Sequence, residues 1–336
     1  MRFGIFDHLD DSGRPLQRHF EERLELIEAY DRAGFYGYHL AEHHNTPLGY
    51  APSPGIFLAA VAQRTTRLKF GPMVYLLPLY HPLRLIDEVC MLDQMSGGRF
   101  LYGVGRGISP VEVGFYGVDF ATGAERFREA FEVIRLGLTE DELTYHGKYY
   151  DFDRVPIPMK PLQKPYPELW YGTSRPDSIP WAAERGAHIV TLRDTKAARG
   201  ILDLYRAEWK KLGRREADLP LLGVNRHIVV AEREAEARGI ARRAYRPWRR
   251  HMELLWAKYD VPFPLKDSLP QEWDALEAHG HAIAGPPERV RDYVAEVIEA
   301  SSASYFVCDF AFGNIGFEEA RQSIDLFARE VMPAFA

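Results

Sequence analysis

Acidic and imidazole side chains stand together at Glu42-His43-His44, directly after a short apolar run. A histidine with an ordinary pKa of about 6.5 exchanges a proton near neutral pH, so His43 is a candidate for acid–base chemistry. The same residues could instead be structural histidines bonded to a loop, or ligands of a metal ion. No His-x-His pair follows the first apolar run, so we predict no metal site and keep the first two interpretations open.

Two glycine-containing segments carry the arginine and hydroxyl side chains that phosphate groups bind. In the first, residues 103–107, Arg106 lies between glycines that leave room for a ligand or simply permit a tight turn. Arg126 begins a later helical segment on the same side, where it could also pair with a glutamate. The second segment, residues 172–178, leads into a helix, whose first N–H groups attract anions or are capped locally. Its candidates are Gly172, Thr173, Ser174, Arg175 and Ser178. Two such segments around one cavity predict a phosphorylated cofactor.

The elements that must position these residues alternate regularly along the chain. Eight apolar or β-branched runs each precede a segment of helical periodicity, which is the pattern of parallel βαβ units. The runs cover residues 2–6, 38–41, 68–76, 100–104, 169–172, 188–192, 221–230 and 305–308. Their carboxyl ends also place Asp7, Tyr75, Arg193 and Asp309 among the candidate site residues.

Eight strands followed by helices predict an α/β fold, a (β/α)8 TIM barrel with its active site at the carboxyl ends of the strands. An open doubly wound sheet is the competing architecture, but it usually has a glycine fingerprint after its first strand, where this chain has Asp7-His8-Leu9-Asp10. We therefore expect one barrel domain over residues 1–336. The length beyond about 250 residues falls in insertions at 107–123, 139–168 and 259–286. The first and third should border the active-site face, and the second should start on the opposite face.

Composition excludes several classes of protein. The net charge of −6 disfavours binding to nucleic acid, because phosphate backbones are repelled. No stretch reaches the roughly 18 apolar residues of a membrane span, and the first residues lack the apolar core of a signal peptide. Two cysteines cannot form a disulfide framework. These features predict a cytoplasmic protein with no membrane association.

Six segments in order along the chain carry a family resemblance. They include residues 42–44, 81–84, 91–100, 103–107, 181–183 and 326–333. Together they resemble the bacterial luciferase-like, flavin-dependent monooxygenases, most closely the branch of the luciferase α subunit. The resemblance implies a (β/α)8 barrel with FMN at the carboxyl ends of its strands.

The same resemblance implies roles for individual residues. His43 corresponds to the catalytic histidine near the flavin ring, and Arg106 and Arg126 correspond to arginines at the flavin phosphate. The loop from Gly172 to Ser178, with Thr173, Ser174 and Arg175, is expected to supply further phosphate contacts. A non-proline cis peptide is expected under the flavin ring between Met73 and Val74. The luciferase has a reactive cysteine where this chain has Gly105, which makes light emission doubtful.

The implied activity is a monooxygenation of a small organic substrate. Reduced FMN would act as co-substrate and react with O2 to give a C4a-hydroperoxide. A separate flavin reductase would supply the reduced FMN, since no NADH-binding unit is visible in the sequence. The resemblance also implies a homodimer through the second and third helices. Three alternatives stay open: an F420-dependent oxidoreductase, a non-catalytic flavin-binding subunit, and a metal-dependent barrel hydrolase.

Overall fold

The computed structural model describes residues 1–336 as a parallel barrel surrounded by helices. Its strands are β1 (Arg2–Asp7), β2 (Gly37–Leu40), β3 (Lys69–Pro72), β4 (Tyr75–Leu76), β5 (Tyr102–Gly105), β6 (Glu142–His146), β7 (Asp151–Pro156), β8 (Leu169–Gly172), β9 (His188–Thr191), β10 (Leu222–Val230), β11 (Ala282–Gly285) and β12 (Tyr305–Asp309). Its α-helices are α1 (Leu16–Ala33), α2 (Pro54–Arg64), α3 (Pro82–Ser96), α4 (Pro110–Phe115), α5 (Gly123–Thr139), α6 (Ile179–Glu184), α7 (Thr195–Lys211), α8 (Glu234–Lys258), α9 (Trp273–Ala278), α10 (Pro287–Ser301) and α11 (Phe317–Leu326). None of these helices combines the length and the apolar character needed to cross a membrane.

The predicted barrel is confirmed, with one additional strand. The strands follow the order β3-β2-β1-β12-β10-β9-β8-β5-β4, and all neighbouring pairs in it are parallel. The two ends of this order nearly meet, because β5 pairs with β4 and a bridge joins Phe70 of β3 to Phe100, just ahead of β5. β3 and β4 share one barrel position, so eight positions form the barrel. β11 is added beside β10 as a further parallel strand.

Two elements depart from a regular strand and a regular helix. The strand predicted over residues 68–76 is two strands, separated by Met73 and Val74, whose peptide bond is cis as the resemblance implied. The last helix is α-helical only as far as Leu326, and a π-helical turn covers Phe327–Val331. Pro333 follows that turn and has no N–H for a continuing helix, so the regular hydrogen bonding cannot extend.

All three insertions contain secondary structure. The first holds α4, and the third holds α9 and β11. The second forms the antiparallel hairpin of β6 and β7, which starts below the barrel after α5. The tip of the hairpin returns along α5, where Lys148 pairs with Glu125 at 2.8 Å and the N–H of Tyr149 bonds Glu129 at 2.8 Å. The second insertion therefore reaches back towards the active-site face from the opposite one.

Aromatic side chains fill the lower barrel and form the floor under the site. Tyr305 crosses the interior and bonds His39 through an Oη–Nε2 contact of 2.9 Å. Gly4 makes this crossing possible, because a Cβ at that position would lie 1.7 Å from the Tyr305 hydroxyl. Trp170 stacks on His188 with 4.6 Å between ring centroids. The lower barrel is thus a packed core, and the cavity lies at the end that bears the carboxyl ends of the strands.

Candidate active site

A cavity of about 440 Å³ opens at the carboxyl ends of the strands. One end is cationic and polar, with Arg106 after β5, Ser174 and Arg175 after β8, and Arg193 after β9. The other end is aromatic and uncharged. It is lined by His8, Asn225, His227, Trp248, Met252, Trp256, Pro264, Leu265, Ser268, Leu269 and His281. The first insertion contributes Ile108, Pro110 and Phe120, and the third contributes residues 264–269, so both insertions predicted to border this face do so.

His43 faces a carboxylate that sequence reasoning did not identify. Its Nδ1 lies 3.3 Å from both carboxyl oxygens of Glu112, which belongs to the short helix α4. Burial would lower the pKa of His43, but the facing Glu112 raises it above its ordinary value. Burial would likewise raise the pKa of Glu112, but His43 and the N–H of His44, at 2.8 Å, hold it below its ordinary value. The pair favours a protonated imidazole beside an ionised carboxylate.

Glu42 and His44 have structural partners on every side. The carboxyl group of Glu42 contacts His44 Nε2 at 2.7 Å and accepts bonds from the N–H of Leu76 at 3.1 Å and from Tyr80 at 2.9 Å. The other ring nitrogen of His44 contacts the hydroxyl of Tyr116 at 2.8 Å. The structural interpretation therefore fits Glu42 and His44, which tie β2 to β4 and to the first insertion. His43 is the most exposed member of the motif, with 16% of its side chain accessible against 9% for His44.

His8 stands between His43 and the cavity. It lines the cavity, and its ring is stacked on that of His43 at 5.6 Å between centroids. Trp248 donates its indole N–H to His8 Nδ1 at 3.3 Å. Burial, with the nearby His43, lowers the pKa of His8 well below its ordinary value, so the ring is neutral. His43 itself does not line the cavity, because the ring of His8 lies between them.

The two arginines predicted at the phosphate are held by aromatic rings rather than by carboxylates. Arg106 lies over the ring of Phe120 at 4.7 Å, and its stem packs at the start of α5. Arg126 lies over the ring of Tyr149 at 5.0 Å, and its Nε is buried with no hydrogen-bond partner. Tyr149 comes from the hairpin tip, so the second insertion positions Arg126. Arg106 lines the cavity, whereas Arg126 lies outside it.

The loop after β8 is bonded within itself. Thr173 and Ser178 share a hydroxyl–hydroxyl bond of 2.7 Å, and the N–H of Arg175 donates to Thr173 at 3.1 Å. Arg175 is paired with Asp177, and its side chain is 60% exposed. The helix expected after this segment is present, but it begins as a 3₁₀ turn over Pro176–Ser178 and is α-helical only in the six residues of α6. The extra turn starts there because Pro176 fits the first position of such a turn but offers no N–H.

Gly105 and the cis peptide lie against each other. A Cβ at Gly105 would fall 2.2 Å from Cγ2 of Val74, so β5 can pass this close only with glycine there. Gly172 lies beside the same peptide, with 3.7 Å from its Cβ position to atoms of Met73 and Val74. The space that a side chain at residue 105 would need is therefore occupied by the Val74 side chain. Met73, Val74 and Gly172 form one patch next to the cavity without lining it.

Among the remaining predicted candidates, Asp7 and Tyr75 have structural partners, whereas Asp309 has none. Asp7 accepts bonds from Arg23 at 2.9 Å and from Tyr38 at 2.7 Å, so it anchors α1. Tyr75 donates to Glu88 at 2.6 Å, away from the cavity. Asp309 is fully buried and has no hydrogen-bond partner on either oxygen. No three His, Cys, Asp or Glu side chains come together in a way that could hold a metal ion.

Comparison with known proteins gives consistent results. The family model described as luciferase-like monooxygenase matches residues 1–304. The uncharacterized protein y4wF of Sinorhizobium fredii is 38% identical over 332 residues, 99% of this chain and 96% of the relative. The oxygenase component of a flavin-dependent trigonelline monooxygenase of Acinetobacter baylyi is 25% identical over 357 residues, 100% of this chain and 96% of the relative. The crystal structure of the monooxygenase RslO1 of Streptomyces bottropensis is similar with a TM-score of 0.90 and 26% identity, and covers 100% of both chains.

Proposed function

The chain belongs to the luciferase-like monooxygenase family, and from that premise we propose that it is an enzyme that uses reduced FMN and O2 to oxidise a small organic substrate. One oxygen atom enters the product and the other leaves as water, with two electrons drawn from the reduced flavin. The observation that carries the proposal is the cationic end of the cavity. Arg106 reaches it on an aromatic support and forms none of the ion pairs that occupy most other arginines of the chain.

The residues at this end fit a flavin phosphate. Arg106 brings a positive charge to the cavity itself. In the proposal Arg126, held over Tyr149 outside the cavity lining, adds a second charge, and its buried Nε lacks the partner that a buried donor normally has. The loop after β8 adds the hydroxyls of Thr173, Ser174 and Ser178, of which Ser174 lines the cavity, and in the proposal these hydroxyls donate to phosphate oxygens. Charge-assisted bonds of this kind contribute roughly 1.5–3 kcal/mol each. Arg175 is a weaker contributor in this proposal, because Asp177 already neutralises it.

Reduced flavin supplies the electrons for O2 activation when it is bound. In the proposal His43 is the proton donor and acceptor of the site, Glu112 is a positioning residue, and His8 is the neutral ring through which His43 meets the cavity. The aromatic end excludes water, because Trp248 and Trp256 cover it together with the third insertion. Exclusion of water protects a reactive oxygen species from loss to solvent.

Partner proteins follow from the same proposal. The site has no second nucleotide-binding unit, so a separate flavin reductase would supply reduced FMN, as the name of the trigonelline relative also suggests. A homodimer through α2 and α3 is supported by exposed apolar side chains on those helices. Ile56 is 79% exposed, Met91 50% and Met95 45%. Such side chains on neighbouring helices are typical of a protein interface.

The test is a titration of the purified protein with oxidised FMN, reduced FMN and F420, followed by oxygen uptake on a panel of substrates. We expect reduced FMN to bind and O2 consumption to depend on substrate. His43→Ala should keep the affinity for FMN and lose turnover, while His146→Ala, a change at an exposed histidine of the hairpin, should alter neither. Saturation by F420 alone would favour the F420-dependent alternative. Binding of FMN without substrate-dependent O2 uptake would favour the non-catalytic subunit.

A further inference from the structure

Helix α8 presents three residues to the cavity at regular spacing. Trp248, Met252 and Trp256 are four residues apart in the sequence, so they lie on one face of the helix, and all three line the aromatic end. Trp248 and Trp256 are 2% and 7% exposed, whereas Met252 is only partly buried. The thioether of Met252 therefore stands between two indole side chains on this face, and no step of the proposed reaction uses it.

Met252 is the one sulfur-containing residue that lines the cavity, although the chain has two cysteines and seven methionines. Met91 and Met95 are 50% and 45% exposed on the outer helix α3. Met73 is buried in the barrel wall, where it packs with the aromatic residues of the floor. A reactive oxygen species formed inside the cavity consequently meets the sulfur of Met252 before any other.

The proposed function supplies such a species. If no substrate accepts an oxygen atom, two electrons of reduced FMN and two protons convert O2 into hydrogen peroxide inside the cavity. Peroxide converts methionine to methionine sulfoxide. Cysteine reacts as the thiolate, and burial raises the pKa of Cys90 to about 11 and that of Cys308 well above its ordinary value. The two thiols are therefore poor competitors for the oxidant.

Oxidation of Met252 changes the character of the aromatic end. A sulfoxide carries a polar oxygen, which is costly to bury without a hydrogen bond. The neighbours of Met252 on the helix face are two tryptophans, and Leu265 and Leu269 line the same end. An oxidised side chain therefore either holds water there or loses its packing against these apolar residues. Both outcomes weaken the binding of an apolar molecule.

We propose that Met252 is a modification site, oxidised to methionine sulfoxide by the hydrogen peroxide that forms in the cavity when O2 is reduced without oxidation of a substrate. This inference rests on the proposed monooxygenase function and adds an oxidative inactivation to it. The O–O bond of the peroxide breaks, and one oxygen bonds to the sulfur of Met252, which loses two electrons. The other oxygen takes both protons and leaves as water.

The first measurement locates the oxidised methionines by mass spectrometry of peptides. Reduced FMN is bound in the absence of oxygen and then mixed with O2, without substrate and with catalase and superoxide dismutase present. These two enzymes remove peroxide and superoxide from the solution but do not reach the cavity. We expect Met252 to be oxidised and the six other methionines to stay reduced. Hydrogen peroxide added to the flavin-free protein should oxidise Met252 only when catalase is left out.

The second measurement is the affinity of the flavin-free protein for the uncharged fluorescent probe N-phenyl-1-naphthylamine. Treatment with hydrogen peroxide should weaken binding about tenfold in the wild type. Met252→Leu keeps an apolar side chain of similar volume, so it should lose this sensitivity while its other methionines are still oxidised. Met252→Gln, whose amide resembles the sulfoxide in polarity, should bind the probe weakly without treatment. Met95→Leu is the matched control on α3 and should respond to peroxide as the wild type does.

The outcomes separate this inference from the proposed function. Probe binding that is unchanged when Met252 is fully oxidised, or that falls equally in Met252→Leu, would overturn the inference. Protection of Met252 by catalase during the reaction with O2 would do the same. A chain that binds no reduced FMN would refute the proposed function, and the inference would fall with it. A chain that binds reduced FMN but leaves Met252 unoxidised would refute the inference alone.

Discussion

Replacing Glu112 with glutamine removes the charge that faces His43 and keeps the size of the side chain. The Nδ1–Oε distance is 3.3 Å, and the two side chains are 16% and 7% exposed. Two unit charges at this distance attract by roughly 5 kcal/mol at an effective dielectric constant of about 20. The cost of burying both charges offsets part of this, and hydrogen bonds to charged groups contribute about 1.5–3 kcal/mol net. If turnover uses the protonated ring of His43, we expect Glu112→Gln to lower kcat roughly 10- to 100-fold.

The pH dependence gives the sharper assay. Glu112 raises the pKa of His43 against the effect of burial, so the variant should titrate His43 at lower pH, as followed by NMR of its ring protons. The raised pKa stabilises the fold below the ordinary 6.5 and loses this effect as pH rises through the folded value. The lowered pKa of Glu112 stabilises above its ordinary 4.5 and loses the effect as pH falls. Glu112→Gln should therefore lower the free energy of unfolding more at about pH 6 than at about pH 9.

Two further variants serve as controls for Glu112→Gln. Glu112→Asp keeps the charge and should recover part of the activity and much of the pH profile. Glu125→Gln changes an exposed carboxylate that pairs with Lys148 on the hairpin, and it should leave kcat and the His43 titration as they are. An unchanged His43 titration in Glu112→Gln would refute the electrostatic reasoning. An altered titration with unchanged kcat would remove the pair from catalysis.

Two further predictions concern the cofactor and the barrel wall. Arg106→Ala should weaken FMN binding about 10- to 100-fold in a flavin-fluorescence titration, whereas Arg175→Ala should weaken it only a few-fold because Asp177 already pairs with that side chain. Equal losses would contradict this division of roles. Gly105→Ala should lower the free energy of unfolding by roughly 1–3 kcal/mol in urea, because its Cβ would overlap Cγ2 of Val74, and adding Val74→Ala should restore most of it. If Gly105→Ala is as stable as the wild type, β5 and Val74 move apart at no cost, which would contradict the prediction.

The barrel was predictable because two sequence signals agree along most of the chain: the residues that begin and end helices, and the spacing of the apolar residues. In α3, Pro82 stands in the first turn and Gly97, in the left-handed region, follows the last residue, and both residue types mark helix ends in a sequence. The hairpin of β6 and β7 is different, because most of its side chains are exposed and only a few apolar ones, Leu143, Tyr145, Phe152 and Val155, pack on the core. β11 consists of four small apolar residues within a proline-rich insertion and has too little pattern to stand out.

The site was predictable only where its residues are neighbours in sequence. Arg106 and the loop from Gly172 to Ser178 are local motifs, and the structure brings Arg106, Ser174 and Arg175 to one cavity. Glu112 could not be found in this way, because it lies 69 residues from His43. The capping pattern of Ser109, whose hydroxyl accepts from the N–H of Glu112, was the one local signal that a helix stands there. Nothing in it indicates which strand end that helix faces.

The aromatic end of the cavity could not be predicted for the same reason, because its residues are distant in the sequence. His227 and Asp309 become neighbours through the pairing of β10 with β12. Burial raises the pKa of Asp309, with Asp7 and Asp10 adding to the effect, and burial lowers the pKa of His227. The cationic end around Arg106 and the neutral end around His227 then belong to one cavity with opposite preferences. An anionic cofactor is attracted to the first end and gains nothing from the second, where burial of its charge would be costly. An uncharged organic substrate has the reverse preference. The cofactor and the substrate of the proposed reaction would therefore bind at different ends of the cavity and would not compete for one place.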